Sequence, residues 1–455
     1  MDHLSPEAFL DGAPPTFSDD ALARRFADRH ADDLRFIAAW GQWFRFDGKR
    51  WRQDATLYAF DLARRICRTA SAECNGSDGV KTGLASAKTV AAVERLARCD
   101  RRIAATIDQW DADPWLLNTP SGVVDLLTGK MRAHRADDYM TNITATGPRG
   151  DCPRFLAFLD RVTGSDSELI AYERRVLGYA LTGIVREHAL FFGYGTGANG
   201  KSVLLSTVAG ILGDYHKTAP IETFTASNVD RHPTDLAMLR GARLVTATET
   251  VEGRQWAESR IKSLTGGDRV SARFMRQDFF EFMPQFKLFI AGNHRPGLRS
   301  VDEAIRRRFH LIPFAVTIPA EERDSELTEK LKDEWPGIMA WIVEGCLEWQ
   351  SEGLAAPEAV TAATAEYLES EDAIAAWIDE CCERDVNAWA GSSALFASWA
   401  SWATKAGEAV GSQKKFSQKL AERKFPKHNL NTARGFNGLR ILPQEQGAAS
   451  WDYHR

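Results

Sequence analysis

The sequence predicts an α/β protein: a P-loop core, a mixed α/β segment ahead of it and a winged-helix-like segment behind it. Three observations carry this. The apolar run Ala189-Leu190-Phe191-Phe192 leads into Gly195-Thr196-Gly197-Ala198-Asn199-Gly200-Lys201-Ser202, and the dense apolar stretch Val203–Leu212 follows and stops at Gly213. Short apolar runs then alternate with helical segments as far as Phe314, the pattern of an α/β sheet. Between Ser392 and Leu442, a helical pattern, a basic helical pattern and a Gly-punctuated apolar run follow one another.

Residues 1–150 mix helical patterns with short strands. Alternation around Asp47-Gly48 in Trp43–Trp51 reads as a hairpin. A second turn, Asn118-Thr119-Pro120-Ser121-Gly122, introduces Val123-Val124-Asp125-Leu126, and Gly147-Pro148-Arg149-Gly150 marks a boundary. The core is assigned to residues 151–320; in it Phe155, Phe158, Leu159, Ile170, Val176, Leu177 and Ala180 suit helices that precede the first central strand. A helical lid and linker spans 321–370: Leu327, Leu331, Trp335, Ile338, Ile342 and Trp349 keep helical spacing, while Ala355-Ala356-Pro357 to Glu371 reads as a tether. In 371–455, Leu395, Phe396, Trp399 and Trp402 suggest one helix, Phe416 and Leu420 a second, and Gly435–Ile441 a small hairpin.

At 455 residues and 44% hydrophobic content the chain can fill several cores. Its net charge of -5 hides an asymmetry, because Lys414, Lys415, Lys419, Arg423, Lys424, Lys427, Arg434 and Arg440 face only Glu422 between Gly411 and Arg440. Seven cysteines without a C-x-x-C pair read as reduced packing thiols. No apolar stretch approaches the roughly 18 residues that span a bilayer, and Met1–Pro6 lacks a basic n-region. A soluble, cytoplasmic protein with no membrane partner is expected.

The Gly195–Ser202 loop carries the clearest chemistry. Its glycines let successive backbone N–H groups turn toward one anion, Lys201 supplies a point charge for β/γ phosphates, and the Ser202 hydroxyl can ligate Mg²⁺. A helix beginning near Gly200 adds its positive dipole end. Downstream, Arg243–Thr250 is an apolar strand ending in Glu249, a carboxylate able to hold magnesium or polarise an attacking water; a plain exposed glutamate fits the same position. Arg273 and Arg276 interleave with Phe274 and Met275 in a strand-turn-strand, which suits either a grip on single-stranded nucleic acid or a solvated basic hairpin. Lys287–Pro296 is a buried-looking strand ending on Asn293, which could orient water or simply make a turn. Arg306-Arg307-Arg308 could end a charged helix or reach a neighbouring subunit's phosphate.

In this order, from Gly195 to Phe314, these motifs resemble a superfamily 3 helicase of the AAA+ class, closest to the helicase part of satellite-phage and plasmid primase-helicases. The resemblance implies an AAA+ P-loop ATPase core in a homo-hexameric ring that threads single-stranded and forked DNA, with ATP and Mg²⁺ as cofactors. It implies that Lys201 and Ser202 hold ATP and Mg²⁺, Glu249 binds metal or activates water, and Asn293 is a sensor. Arg276 then lies near the tip of a pore hairpin, and Arg308, with Arg307 as close second, is a finger supplied in trans.

Two departures limit the carry-over. Thr248 stands where many relatives have a second acidic residue, and no convincing carboxylate cluster for nucleotidyl transfer precedes residue 150. A motor is thus expected without its primase, which a separate primase or origin-binding protein would complement. In the last segment, a helix, a basic helix and a hairpin resemble a winged helix, with Lys414, Lys415, Lys419 and Arg423 on or beside the recognition helix and Arg434 in the wing. The leading reading is an ATP-dependent replicative DNA helicase of a phage, plasmid or integrated element. An ATP-switched origin-binding or assembly protein is the alternative, and a protein-remodelling AAA+ machine a third reading.

Overall fold

The computed structural model describes residues 14–226, 234–248, 254–274, 278–298, 301–408, 410–430 and 433–442. Its first unit contains α1 (Asp19–His30), β1 (Leu34–Ile37), β2 (Gln42–Phe46), β3 (Trp51–Gln53), α2 (Tyr58–Glu73), α3 (Asp78–Leu84), α4 (Ala87–Ala97) and β4 (Ala104–Ala105). The strands run in the order β3-β2-β1-β4. The predicted β2–β3 hairpin is present, and Asp47 closes its turn by accepting the N–H groups of Lys49 and Arg50, each at 2.9 Å. Leu22, Phe26, Leu62, Ile66 and Val93 from the helices pack against Leu34, Phe36 and Trp43 of the sheet.

A three-stranded meander follows: β5 (Leu116–Thr119), β6 (Gly122–Asp125) and β7 (Lys130–Arg132). Packing crosses the boundary expected at Gly147–Gly150, because Leu117, Val124 and Leu126 share one buried cluster with Phe155, Val176 and Phe191. Next come α5 (Pro153–Thr163) and α6 (Ser167–Leu181). Pro153 suits the first helical turn, Gly164 ends α5 at φ +67°, and Asp166 caps α6 by accepting the Leu169 N–H at 3.0 Å.

The central sheet comprises β8 (Leu190–Tyr194), β9 (His216–Thr218) and β10 (Leu244–Thr248), with α7 (Lys201–Leu212) after β8 and α8 (Thr234–Ala237) before β10. After α9 (Glu258–Gly266), β11 (Val270–Ala272) and β12 (Phe280–Phe282) form a separate antiparallel pair. The chain re-enters the sheet as β13 (Lys287–Gly292) and, after α10 (Glu303–Arg306), as β14 (Phe309–Pro313). All neighbours in the order β14-β8-β13-β10-β9 are parallel. Buried on both faces, β8, β10 and β13 read as near-continuous apolar runs, whereas the edge strand β9 is His-Lys-Thr and partly exposed.

Two buried cations lock the sheet to α6. Arg243, just before β10, donates to the carbonyls of Leu181 at 2.7 Å and Leu116 at 2.6 Å; Lys287, opening β13, donates to that of Thr182. Leu181 and Thr182 end α6, so both cations meet carbonyls that lack intrahelical partners and carry the negative dipole end.

The expected Glu326–Trp349 helix is broken into α11 (Leu327–Lys330), a tight 3₁₀ turn and α12 (Trp335–Glu352), because Pro336 fits only a helix start. The expected tether is corrected to a packed helix, α13 (Glu358–Ser370). Its Val360, Tyr367 and Leu368 are buried, and Thr364 Oγ1 accepts the Leu311 N–H of β14 at 2.9 Å. The last unit has α14 (Ala373–Cys381), β15 (Cys382–Gly391), α15 (Ser392–Lys405), α16 (Gln413–Glu422), β16 (Lys427–Leu430) and β17 (Ala433–Ile441), with sheet order β15-β17-β16. Gly435–Ile441 is therefore one strand, not a hairpin. A Cβ on Gly435 would lie 2.4 Å from the Ala390 carbonyl, so this glycine serves close strand approach.

Glu173 of α6 is 2% exposed, and among the described residues neither carboxyl oxygen has a hydrogen-bond partner. Burial pushes its carboxyl from the ordinary 4.5 up to about 8. The native state thus holds a proton that the unfolded chain releases, so this contribution is complete below about pH 4.5 and is lost as pH rises through about 8. Glu173→Gln should flatten the fall of the denaturant midpoint between about pH 5 and 8. An unchanged slope would mean that Glu173 does not titrate there.

Candidate functional site

The topology creates a crevice. From β8 the chain crosses toward β9 on one edge, whereas from β13 it crosses to β14 on the other, so connections from the adjacent strands β8 and β13 leave in opposite directions. Open α/β sheets bind ligands outside the carboxyl ends of strands at such a switch point. The Gly195–Ser202 loop leaves β8 there, and Asn293 leaves β13 beside it.

Backbone geometry explains the loop's composition. Gly197, Ala198 and Gly200 take φ of +111°, +49° and +84°, a left-handed run that turns amides toward one side. At Gly195 an added Cβ would lie 2.1 Å from Asn199 Nδ2 and 2.4 Å from the Phe314 carbonyl. The loop is tied down by Asn199 Nδ2 donating to that carbonyl at 3.1 Å and by the Ile318 N–H donating to Ala198 at 2.8 Å. α7 starts at Lys201, and Gly200 provides no side-chain cap for its first amides.

Lys201 is buried, with Nζ donating to the Gly195 carbonyl at 2.7 Å, Asn199 Oδ1 at 2.9 Å and Asn293 Oδ1 at 3.3 Å. Burial lowers its pKa from the ordinary lysine value. The structure thus joins three predicted residues on one ammonium. Thr196, Ser202 and Asn293 are exposed at the crevice. Glu249 and Arg276 lie outside the described residues; β10 ends at Thr248, beside Ala291 of β13.

The arginine triplet divides. Arg308 is 6% exposed and donates to Thr265 Oγ1 at 3.1 Å and the Ala304 carbonyl at 2.7 Å, which corrects its expected reach toward a neighbour. Arg307 is exposed. Arg306 lies 3.5 Å from Asp372, a buried carboxylate that also accepts from Arg423. Arg423, the residue directly after α16, is therefore engaged inside the chain. Lys414, Lys415 and Arg434 are exposed, and Lys419 is half-buried.

At the β11–β12 pair the Arg273 guanidinium lies 4.6 Å from the Phe279 ring centroid, and Phe274 stacks on Phe280 at 5.8 Å. Phe274 and Phe279 are both substantially exposed. Arg240 sits between Phe280 and Trp40, linking this pair to the first unit.

Sequence reasoning missed the end of α13. Tyr367 donates to the Pro296 carbonyl and accepts from Trp256 Nε1 at 2.9 Å, while Glu371 accepts the Leu298 N–H at 2.7 Å; both hold the loop after Asn293. Asp372 caps α14 by accepting the Ala375 N–H at 3.2 Å. An acidic residue just before an apolar helical run was the available signal.

The D5 N terminal like family model matches residues 23–164, and a family of unknown function, DUF5906, matches residues 193–308. A protein of Acanthamoeba polyphaga mimivirus named as a putative helicase is 28% identical over 311 residues, covering 63% of this chain and 32% of the relative. Proteins named in the same way from Frog virus 3 (isolate Goorha) and Sputnik virophage are 25% and 28% identical, covering 52% and 35% of this chain and 26% and 21% of the relatives. The chain spans about a third or less of the length of these curated relatives. The apo C-terminal region of NrS-1 shares the fold, with a TM-score of 0.50 at 9% identity over 93% of this chain and 99% of that one. The chain is thus similar in sequence to viral proteins named as helicases, on a mixed α/β fold with a parallel sheet.

Asn199→Ala removes one acceptor from a buried ammonium and the donor to a carbonyl. It should destabilise the chain by about 1–3 kcal/mol in chemical denaturation. A change under about 0.5 kcal/mol, the range of ordinary surface substitutions, would show that these bonds do not hold the loop.

Proposed function

We propose that this chain is the motor of an ATP-dependent DNA helicase that acts in replication of a virus, phage or other mobile element. The observation that carries the reading is the Lys201 ammonium, bound at once to the Gly-rich loop and to Asn293 at the switch point. A phosphate entering there meets a partly desolvated cation, left-handed loop amides and a helix start without a side-chain cap. The same features fit ATP as cofactor.

In this reading Lys201 exchanges its carbonyl and amide oxygens for phosphate oxygens, so Asn293 registers whether a phosphate is present. Ser202, exposed in the first turn of α7, and Glu249 would hold Mg²⁺, which neutralises developing charge on the transferred phosphoryl group. The superfamily 3 AAA+ assignment and a homo-hexameric ring belong to this proposal. A ring would let exposed Arg307, rather than buried Arg308, complete a neighbour's site. Arg273 and Arg276 would contact single-stranded DNA, with Phe274 and Phe279 offering stacking faces.

DNA-stimulated ATP hydrolysis measured beside forked-duplex unwinding tests the reading. Both activities are expected, and Lys201→Ala should abolish both; ATP-dependent oligomerisation without strand separation would favour an assembly switch. Arg307→Ala should lower hydrolysis by about 10³ to 10⁵, the usual contribution of a trans arginine. Mixing it with Lys201→Ala subunits should restore part of the rate, and no recovery at any ratio would contradict the shared site.

A further inference from the structure

Outside the switch-point crevice a cation joins the first unit to the β11–β12 pair. Arg240 lies three residues after α8, and its guanidinium is 5.3 Å from the Trp40 ring centroid and 5.5 Å from that of Phe280. Both distances fall within the roughly 6 Å reach of a cation–π contact. The side chain is half-buried, and burial lowers its pKa from the ordinary arginine value, a shift that Asp111 opposes. Partial desolvation strengthens the attraction of a guanidinium to a ring face.

Both sides of this contact are anchored. Trp40 sits in the β1–β2 turn, where its N–H donates to the Ile37 carbonyl at 3.1 Å and its ring packs 5.7 Å from Phe44. Phe280 opens β12, with Phe274 stacked on it at 5.8 Å and Phe282 6.1 Å away. Thr234, the first residue of α8, donates from Oγ1 to the Arg273 carbonyl at 3.3 Å, so the segment that carries Arg240 is itself tied to the pair. The contacts thus run from Trp40 through Arg240 and Phe280 to Phe274, which ends them on an exposed ring.

We propose that Arg240 is a positioning residue for single-stranded DNA: held on Trp40 of the first unit, it fixes the β11–β12 pair where Phe274 and Phe279 can stack on bases. A planar guanidinium can meet two rings at once, which the compact ammonium of lysine cannot. The first unit then contributes to strand binding through Arg240, by fixing the aromatic faces rather than by supplying a charge to a phosphate. The inference rests on the DNA-acting reading above and adds what the first unit does for it.

Fluorescence anisotropy of the full chain with a labelled oligothymidylate, between about 50 and 200 mM salt, provides the test. Trp40→Leu should weaken binding by about 2- to 5-fold, the size of one exposed cation–π contact, and Arg240→Gln, which loses both contacts, by more. Adding Trp40→Leu to Arg240→Gln should weaken binding no further, because the two residues act as one unit. Arg240→Lys keeps the charge and should nevertheless fall with Arg240→Gln, whereas Trp40→Phe keeps a ring and should bind as the wild type does. The slope of log K against log salt should stay the same in all of them, since a lost phosphate contact on a single strand would lower it by about 0.7. Where Trp40→Leu fails to fold, the Arg240 variants carry the comparison. A slope lowered by about 0.7 in Arg240→Gln, with Arg240→Lys like the wild type, would make Arg240 a phosphate contact and overturn the positioning role. Unchanged affinity in variants of a DNA-binding wild type overturns this role alone, whereas a wild type that binds no DNA overturns the helicase reading with it.

Discussion

The desolvated ammonium of Lys201 is the constraint on which the crevice depends. A lysine in that position needs acceptors, and among the described residues the Gly195 carbonyl, Asn199 and Asn293 supply them. Meeting them requires the left-handed backbone of Gly197, Ala198 and Gly200, the absence of a Cβ at Gly195 and the parallel pairing of β8 with β13. Each hydrogen bond to a charged group is worth about 1.5–3 kcal/mol. The set holds the loop open around a charge whose better partner would be an anion.

The opposite end of the sheet is held by the same physics with different groups. Arg243 and Lys287 are buried against the last carbonyls of α6, so the amino ends of β10 and β13 are fixed where no ligand is expected. The carboxyl ends of β8 and β13 remain available. A second line of contacts runs along α13: Tyr367 and Glu371 hold the loop after Asn293, and Asp372 joins Arg306 to Arg423. The loop after Asn293, Arg306 and the end of the C-terminal basic helix thus meet at Tyr367–Asp372.

What could be read from the residues was what local chemistry dictates. The Gly-rich loop, its flanking strand and helix, the Asp47-Gly48 turn and the apolar strands of the sheet all follow from short-range pattern. The misreadings have non-local causes. α13 looked like a tether because it follows Ala355-Ala356-Pro357, yet its burial comes from packing on β14. Gly435–Ile441 looked like a hairpin because the close approach of Gly435 to Ala390 involves a strand more than forty positions away. Arg307 and Arg308 are adjacent and identical in type, and the acceptors Thr265 and Ala304 mark the buried structural arginine apart from the exposed one. Asp372 was invisible as a hub because both of its arginine partners are distant in sequence or carried by another unit.

The central claim is that Lys201 waits on protein oxygens for a nucleotide phosphate. A cryo-electron microscopy structure of the full chain with a non-hydrolysable ATP analogue and forked DNA tests it most directly. The account predicts the analogue at the β8/β13 switch point, Lys201 Nζ transferred from Asn199 and the Gly195 carbonyl to phosphate oxygens, and Arg307 of an adjacent subunit on the same phosphates. An analogue bound elsewhere, or Lys201 retaining all three protein partners with nucleotide present, would contradict it.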